Sequence, residues 1–370
     1  MVASVNLRVL MVSPGYLPSV GGVETHTYEV GRRLATYGAR VTVLASDRTG
    51  ALAATEERDG VSIRRVQAYP AGRDWYFAPR LAAVIREGDW DVIHCQGAHT
   101  LVPPIAMAAA KSIARPYVVT FHSGGHSSAS RNAARSLQLM VLRPLLLSAA
   151  RLIAVSDFEA EHLRTRLRLS RRRFEVIPNG VDLPALGPSS VRADPSSGPL
   201  IVSVGRLEKF KGHHKVLQAL PRVIQRYPDV RLEVIGSGPY EGALRALVER
   251  LGLGERVVIR AIPTASRDEM AELLSRADLV TLLSEFESQG LAAAEAASLR
   301  RPVLVANGSA LTELVEQGLA SAVAVDADAD ATAAAILAQL DEPLVPGDYS
   351  LPTWDRCSER LYELYRELAA

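Results

Sequence analysis

Twice along this chain, apolar runs of strand length alternate with helical segments, and a stretch rich in proline, serine and glycine parts the two series. The first series holds LRVLMVS (7–13), ARVTVLAS (39–46), VSIRRV (61–66), DVIHCQ (91–96), YVVTFH (117–122), RLIAVS (151–156) and FEVIPNG (174–180). The second holds PLIVSVG (199–205), VRLEVIG (230–236), RVVIRA (256–261), DLVTLL (278–283) and RPVLVA (301–306). Such alternation admits few folds: the strands lie parallel, and helices cover both faces of each sheet. A helix is expected over 24–38, ETHTYEVGRRLATYG, ending at Gly38. With 370 residues the chain is too long for one ordinary core. Two Rossmann-like α/β domains are therefore expected, over residues 1–185 and 186–350, linked through VDLPALGPSSVRADPSSGP (181–199). The last segment, WDRCSERLYELYREL (354–368), places Trp354, Cys357, Leu361, Leu364, Tyr365 and Leu368 on one stripe of a helix.

Composition serves mainly to exclude. An apolar share of 48% and a charged share of 22% are ordinary for a globular protein in water. The net charge of +1 leaves no basic excess to neutralise a nucleic acid backbone, so no such partner is expected. Cys95 and Cys357 make neither a metal-ligand spacing nor a disulfide framework, which points to a reducing cytoplasm. The apolar start VNLRVLMVSP lacks a cleavage site and reads as a strand, not a signal peptide. The greasiest stretch, 139–155, is broken by Arg143, Pro144 and Arg151, so it is not expected to span a membrane. The basic segment 131–151 and the run RTRLRLSRRRF (164–174) admit two readings. They are solvated helix faces, or they touch acidic lipid headgroups from the cytoplasmic side.

Residues 284–297, SEFESQGLAAAEAA, carry most of the functional signal. A buried strand in RADLVTLLS (276–284) feeds a loop, and an alanine-rich helix can begin at Gly290. That order puts a helix N-terminus, with unpaired N–H groups and partial positive charge, at the strand's carboxyl end. Glu287 sits in the loop beside this anion site, and Glu295 lies two turns down the helix. The pair suits a ligand with phosphate in the middle and hydroxyls at both ends, such as a nucleotide sugar. The plainer alternative is two solvated surface charges. This segment resembles the E-x7-E motif of the retaining glycosyltransferases of family 4, which have the GT-B fold of two Rossmann-like domains facing across a cleft. The resemblance implies that Glu287 lies near the donor sugar and Glu295 binds ribose hydroxyls, with Ser288, Gln289, Gly290 and Leu291 lining the donor. The family's usual Phe-Gly is Gln289-Gly290 here. In the resembled fold a C-terminal helix, here within 351–370, returns to the N-terminal domain.

The run SVGRLEKFKGHHKVLQAL (203–220) looks like the strand, loop and helix that open the family's C-terminal domain. By that likeness Arg206 and Lys211 hold the donor diphosphate. Of four lysines in the chain, Lys209, Lys211 and Lys215 fall within seven residues, although arginine is the default cation elsewhere. Compact point charges suit phosphate oxygens; a basic surface loop is the alternative for Lys209 and Lys215. After the first strand, SPGYLPSVGGVETH (13–26) offers Gly21 and Gly22, where backbone can approach a ligand. The resemblance places this loop by the donor phosphates and acceptor. His122, in TFHSGG (120–125), matches the family's histidine that contacts the donor sugar. His94, which with His99 flanks HCQGAH, reads as a structural histidine.

The reaction expected is transfer of a sugar, with retention, from a UDP- or GDP-type donor to a glycan, lipid-linked or small-molecule acceptor. Glu287, His122, Arg206 and Lys211 are the expected catalytic residues. Arg206, Lys211 and the helix after Gly290 take the leaving charge, so neither a metal nor another cofactor is expected. A nicotinamide-dependent oxidoreductase would need G-x-G-x-x-G after the first strand, where Pro14 and Pro18 stand instead. A sugar-nucleotide epimerase of the same fold, and a sugar-nucleotide binder without turnover, remain the alternatives.

Overall fold

The computed structural model describes residues 7–19, 21–70, 76–98, 100–123, 129–184, 198–263, 266–347 and 349–370, with only the backbone of 129–136. His99 and the greater part of the expected linker, 185–197, lie outside the described residues. Two compact units result. One comprises the residues up to Ser123 with Ser130–Gly180 and Pro352–Ala370; the other is built from Val181–Leu351.

In the first unit, β1 (Arg8–Ser13), β2 (Arg40–Asp47), β3 (Thr55–Arg58), β4 (Val61–Gln67), β5 (Val92–Gln96), β6 (Tyr117–Thr120), β7 (Arg151–Ala154) and β8 (Phe174–Val176) form one sheet. Its order is β3-β4-β2-β1-β5-β6-β7-β8, parallel throughout except for β3 against β4. Val9 lies opposite Val41 on one side and Val92 on the other. The helices of this unit are α1 (Gly22–Thr36), α2 (Arg80–Glu87), α3 (Val102–Ser112), α4 (Ala129–Ser148) and α5 (Asp157–Leu167). α1 begins two residues earlier than the sequence led us to expect, because Gly21 can serve as its N-cap.

The second sheet contains β9 (Leu200–Val204), β10 (Arg231–Ile235), β11 (Val257–Arg260), β12 (Leu279–Leu282), β13 (Val303–Asn307) and β14 (Ser321–Ala324). All are parallel, in the order β11-β10-β9-β12-β13-β14. Its helices are α6 (His213–Arg226), α7 (Glu241–Arg250), α8 (Arg267–Arg276), α9 (Leu291–Ser298), α10 (Leu311–Glu316) and α11 (Ala329–Asp341). In each sheet the chain first winds outward in one direction and then returns to wind in the other. The reversal falls between β1 and β5 in the first sheet and between β9 and β12 in the second. Loops leaving the carboxyl ends of such strand pairs are where open α/β sheets hold ligands.

Alternation along each central strand feeds two cores per sheet. Leu10 and Val12 point into one, Val9 and Met11 into the other. The second of these cores is closed by α12 (Trp354–Ala369), whose Trp354, Cys357, Leu361, Leu364 and Tyr365 are buried with Leu7, Val9, Met11, Val30 and Leu34. Gly180 permits this packing, since a Cβ there would lie 2.1 Å from the Trp354 amide nitrogen. Arg33 reinforces it from α1, its Nε donating to Asp355 at 2.5 Å.

Candidate active site

The loop leaving β9 ends in a single 3-10 turn, Lys209–Lys211, and enters α6 through Gly212. Gly212 has a φ of 78°, and a Cβ there would lie 2.1 Å from the Leu283 carbonyl oxygen. Only glycine lets this turn rest against the end of β12. The Glu285 N–H then donates to the Phe210 carbonyl at 2.8 Å, tying the loop after β12 to the loop after β9. Two ions meet as a result. Lys211 Nζ donates to Glu287 Oε1 at 2.6 Å, with side chains only 15% and 14% exposed.

Glu287 is braced from behind. Its N–H donates to Ser309 Oγ at 3.0 Å, and its carbonyl accepts from the Ala310 N–H at 3.2 Å. The buried His213 steadies the other loop. Its Nδ1 lies 2.8 Å from Ser203 Oγ and its Nε2 lies 3.3 Å from the Arg206 carbonyl. Burial pushes His213 down to about 4, so the ring is neutral at pH 7. Arg206 keeps its guanidinium half-exposed and pairs with Glu208 at 3.1 Å, not with Glu287. Among the three clustered lysines, Lys209 is exposed and Lys215 donates to the Val325 carbonyl.

Gly290 caps α9 in the left-handed region, at a φ of 77°. Ser288 and Gln289 precede it, partly buried, and Leu291 is the first helical residue. The opening N–H groups of α9 therefore sit in the loop that carries Glu287. Glu295 lies deeper in α9 and is buried; Arg267, the first residue of α8, donates to its Oε1 at 2.5 Å. A carboxylate this buried needs such a partner.

In the first unit, Gly21 and Gly22 stand where α1 starts. A Cβ on Gly21 would lie 2.3 Å from Glu24 Oε2, and one on Gly15 would lie 2.9 Å from Glu24 Oε1. The Glu24 carboxylate thus folds back over both glycines, in the first turn where the helix charge favours an acid. His122 follows β6 in a left-handed conformation, at a φ of 47°. Its Nε2 donates to Gln96 Oε1 at 2.9 Å. Just beyond it, the Ser123 N–H donates to Glu159 Oε1 at 2.5 Å, and the Val155 N–H to Oε2 at 2.9 Å. Burial holds the Glu159 carboxyl above its usual range, against the pull of those backbone donors.

His94 is a core residue. Its ring meets Tyr365 Oη and, at 2.7 Å, Thr120 Oγ1. His26 joins this group, its Nδ1 2.6 Å from Asn179 Oδ1 and its ring 4.6 Å from that of His122. Burial lowers His26 to about 4 and His94 well below the ordinary histidine value, so both are neutral. Sequence reasoning passed over Gln96, His26, Asn179, Glu159, Arg267 and Ser309. For Gln96 a signal was present: a polar residue closes the otherwise apolar run DVIHCQ, where a buried amide must find partners.

Comparisons with known proteins agree with this architecture. Residues 20–184 match the family described as Glycosyltransferase Family 4, and residues 190–356 match Glycosyl transferases group 1. D-inositol 3-phosphate glycosyltransferase of Nocardiopsis dassonvillei is 27% identical over 100% of this chain and 95% of its own. Glycogen synthase of Mycobacterium tuberculosis is 29% identical over 91% of this chain and 87% of its own. Sucrose-phosphate synthase from Thermosynechococcus elongatus superposes with a TM-score of 0.79 at 22% identity, covering 98% of this chain and 99% of that one. Anabaena HepE, solved with UDP and glucose, gives a TM-score of 0.71 at 18% identity, covering 98% and 97%. With its two parallel-sheet units and both family matches, the chain belongs to the family 4 glycosyltransferases of the GT-B fold.

Proposed function

We propose that this glycosyltransferase transfers a sugar from a nucleoside-diphosphate sugar, with retention of configuration, to a hydroxyl of a glycan, lipid-linked or small-molecule acceptor. The observation that carries the reading is the Lys211–Glu287 pair at the switch point of the second sheet, beside the start of α9. An ammonium has three donors, so Lys211 can keep Glu287 in place while it meets a diphosphate oxygen. In the transfer, the bond from the anomeric carbon to the diphosphate breaks and its electron pair leaves with phosphate. The acceptor oxygen bonds to the same face of that carbon, and its proton passes to the departing phosphate oxygen. Lys211, Arg206 and the α9 N-terminus stabilise the leaving charge, and Glu287 faces the positive charge that develops on the sugar. These cations take the part that a divalent ion plays elsewhere, so the reaction is metal-independent. Glu295, held by Arg267, binds the ribose; His122 contacts the donor sugar; Gly21 and Gly22 lie by the donor phosphates and acceptor.

A UDP-type donor is supported by the HepE structures with UDP and UDP-glucose. Peripheral contact with acidic lipid at the cytoplasmic face is supported by the outer side of α4, where Leu137, Met140, Val141 and Leu147 are exposed beside Arg143. Among the described residues no helix is long and apolar enough to cross a membrane. The test is a panel of UDP and GDP sugars screened by thermal shift, followed by proton NMR of the product. The true donor at a hundred times its dissociation constant adds about 2.7 kcal/mol, and the product keeps the donor's anomeric configuration. An inverted product, or conversion of the donor to its epimer without transfer, would overturn the assignment.

A further inference from the structure

We propose that Gln96, His94 and Tyr365 form a hydrogen-bonded relay that positions His122, so that α12 takes part in donor-sugar recognition. This rests on the reading above that His122 contacts the donor sugar. An amide oxygen only accepts, so the bond from His122 Nε2 to Gln96 Oε1 fixes a proton on Nε2 and with it the direction of the ring. The other end of Gln96 decides that orientation, its Nε2 donating to His94 Nδ1 at 3.3 Å. With Gln96 donating to it, that nitrogen carries no proton, and Tyr365 Oη can then only donate to it. His94 is therefore protonated on Nε2, which donates to Thr120 Oγ1 at 2.7 Å.

The senses of the links agree with one another, and Tyr365 stands at the end of the series away from His122. Tyr365, His94, Gln96 and Thr120 are all fully buried, and His122 is 9% exposed, so water does not substitute for a missing partner. Burial also keeps His94 neutral and Tyr365 a hydroxyl, which preserves the sense of the donors at physiological pH. The backbone agrees with the side chains. His122 adopts its left-handed φ, which is unfavourable for a residue with a Cβ, and Glu159 clamps the Ser123 N–H immediately after it. Ring and main chain of His122 are thus held from two sides, by Gln96 and, through Ser123, by Glu159.

A purely structural Tyr365 would alter melting temperature and leave turnover alone; a positioning Tyr365 alters turnover. The experiment compares Tyr365→Phe, Gln96→Leu, His122→Ala and Tyr365→Phe/His122→Ala in the full chain, with the donor identified by the panel. Melting temperature, kcat and donor KM are measured for each. Tyr365→Phe removes one oxygen and should lower kcat about tenfold with little change in donor KM. Gln96→Leu, which does not depend on α12, should lower it at least as much. On the His122→Ala background, Tyr365→Phe should have no further effect. The relay is overturned if His122→Ala is impaired while Tyr365→Phe and Gln96→Leu both turn over normally, or if Tyr365→Phe costs the same factor on both backgrounds. Normal turnover in His122→Ala itself would remove His122 from the donor site and overturn that part of the parent reading as well. Lys211→Ala, assayed alongside, reports separately on the diphosphate site.

Discussion

The loops after β9 and β12 in the second unit carry shielded ion pairs beside the neutral His213, whereas the β1/β5 side of the first unit gathers neutral rings, amides and hydroxyls. Lys211 with Glu287 and Arg267 with Glu295 form two shielded ion pairs in the second unit. His26, His94, Gln96, Thr120 and Asn179 answer them in the first, where burial lowers both His26 and His94. Glu159, buried in the first unit, meets backbone N–H groups instead of a cation. The same winding of a parallel sheet therefore gives two different kinds of edge. On the function proposed above, one edge serves a charged group that arrives and departs, and the other serves hydroxyls that must be distinguished by direction.

Charge removal tests the contrast most strongly. Lys211→Ala should raise the activation barrier by about 2–4 kcal/mol, read as kcat/KM, because the lost contact strengthens as phosphate leaves. Arg206→Ala should act in the same sense and less strongly, since its half-exposed guanidinium already pairs with Glu208. Equal kcat/KM in wild type and Lys211→Ala would mean that the ionic edge is only structural.

Acid should affect both edges alike. His26 in the first unit and His213 in the second have folded-state values of about 4 against an ordinary 6.5. Each contributes stability that is fully present above pH 6.5 and is lost as pH falls through 4. The loss amounts to about 3 kcal/mol per histidine. Glu159 runs the other way: its raised value contributes stability at low pH that is lost as pH rises. Calorimetry between pH 7 and 4 should show the net fall, and His26→Gln or His213→Gln should flatten it. A melt that does not change over this range would contradict the neutral assignment of these rings.

The two glutamates should separate next. Glu287→Gln should lower kcat about tenfold more than it weakens donor binding, since sugar charge appears only in the transition state. Glu295→Gln should mainly raise donor KM, and it also leaves Arg267 without its ionic partner, so a small drop in melting temperature accompanies it. Kinetics of both variants decide whether the assignment stands or is exchanged. The smallest effect concerns metal. Activity should be unchanged by chelator, and a loss restored by magnesium or manganese would place an ion at the edge that we assign to Lys211 and Arg206.

Much of this arrangement is visible in the residues before any coordinates. Strands buried on both faces declare themselves as apolar runs, and Gly290 followed by alanines marks the start of α9. Of the four edge strands, β8 and β11 do as well, but β3 and β14 do not. β3 reads TEER and β14 reads SAVA, half-exposed segments without an apolar run. Contacts between distant residues are equally silent. Nothing in the sequence near Glu295 names Arg267, 28 residues away, and nothing near Gln96 names His122, 26 residues away. Lys211 and Glu287 were each legible alone; their meeting depends on Gly212 lying against Leu283, which only folding supplies.

The packing of α12 on the first sheet also has a consequence for the order in which the molecule is completed. During synthesis the residues of β1 and α1 emerge early, but the helix that covers Leu7, Val9, Met11, Val30 and Leu34 emerges only after the whole of Val181–Leu351. The unit begun first is thus finished last, and the unit begun second can close while the first still shows an apolar face. A chain cut short beyond Leu351 would carry a complete second unit beside an unfinished first, marked by exposed hydrocarbon that chaperones and proteases recognise. The presence of α12 is in this way inspected by the fold itself, at the point where Trp354 comes to rest over Gly180.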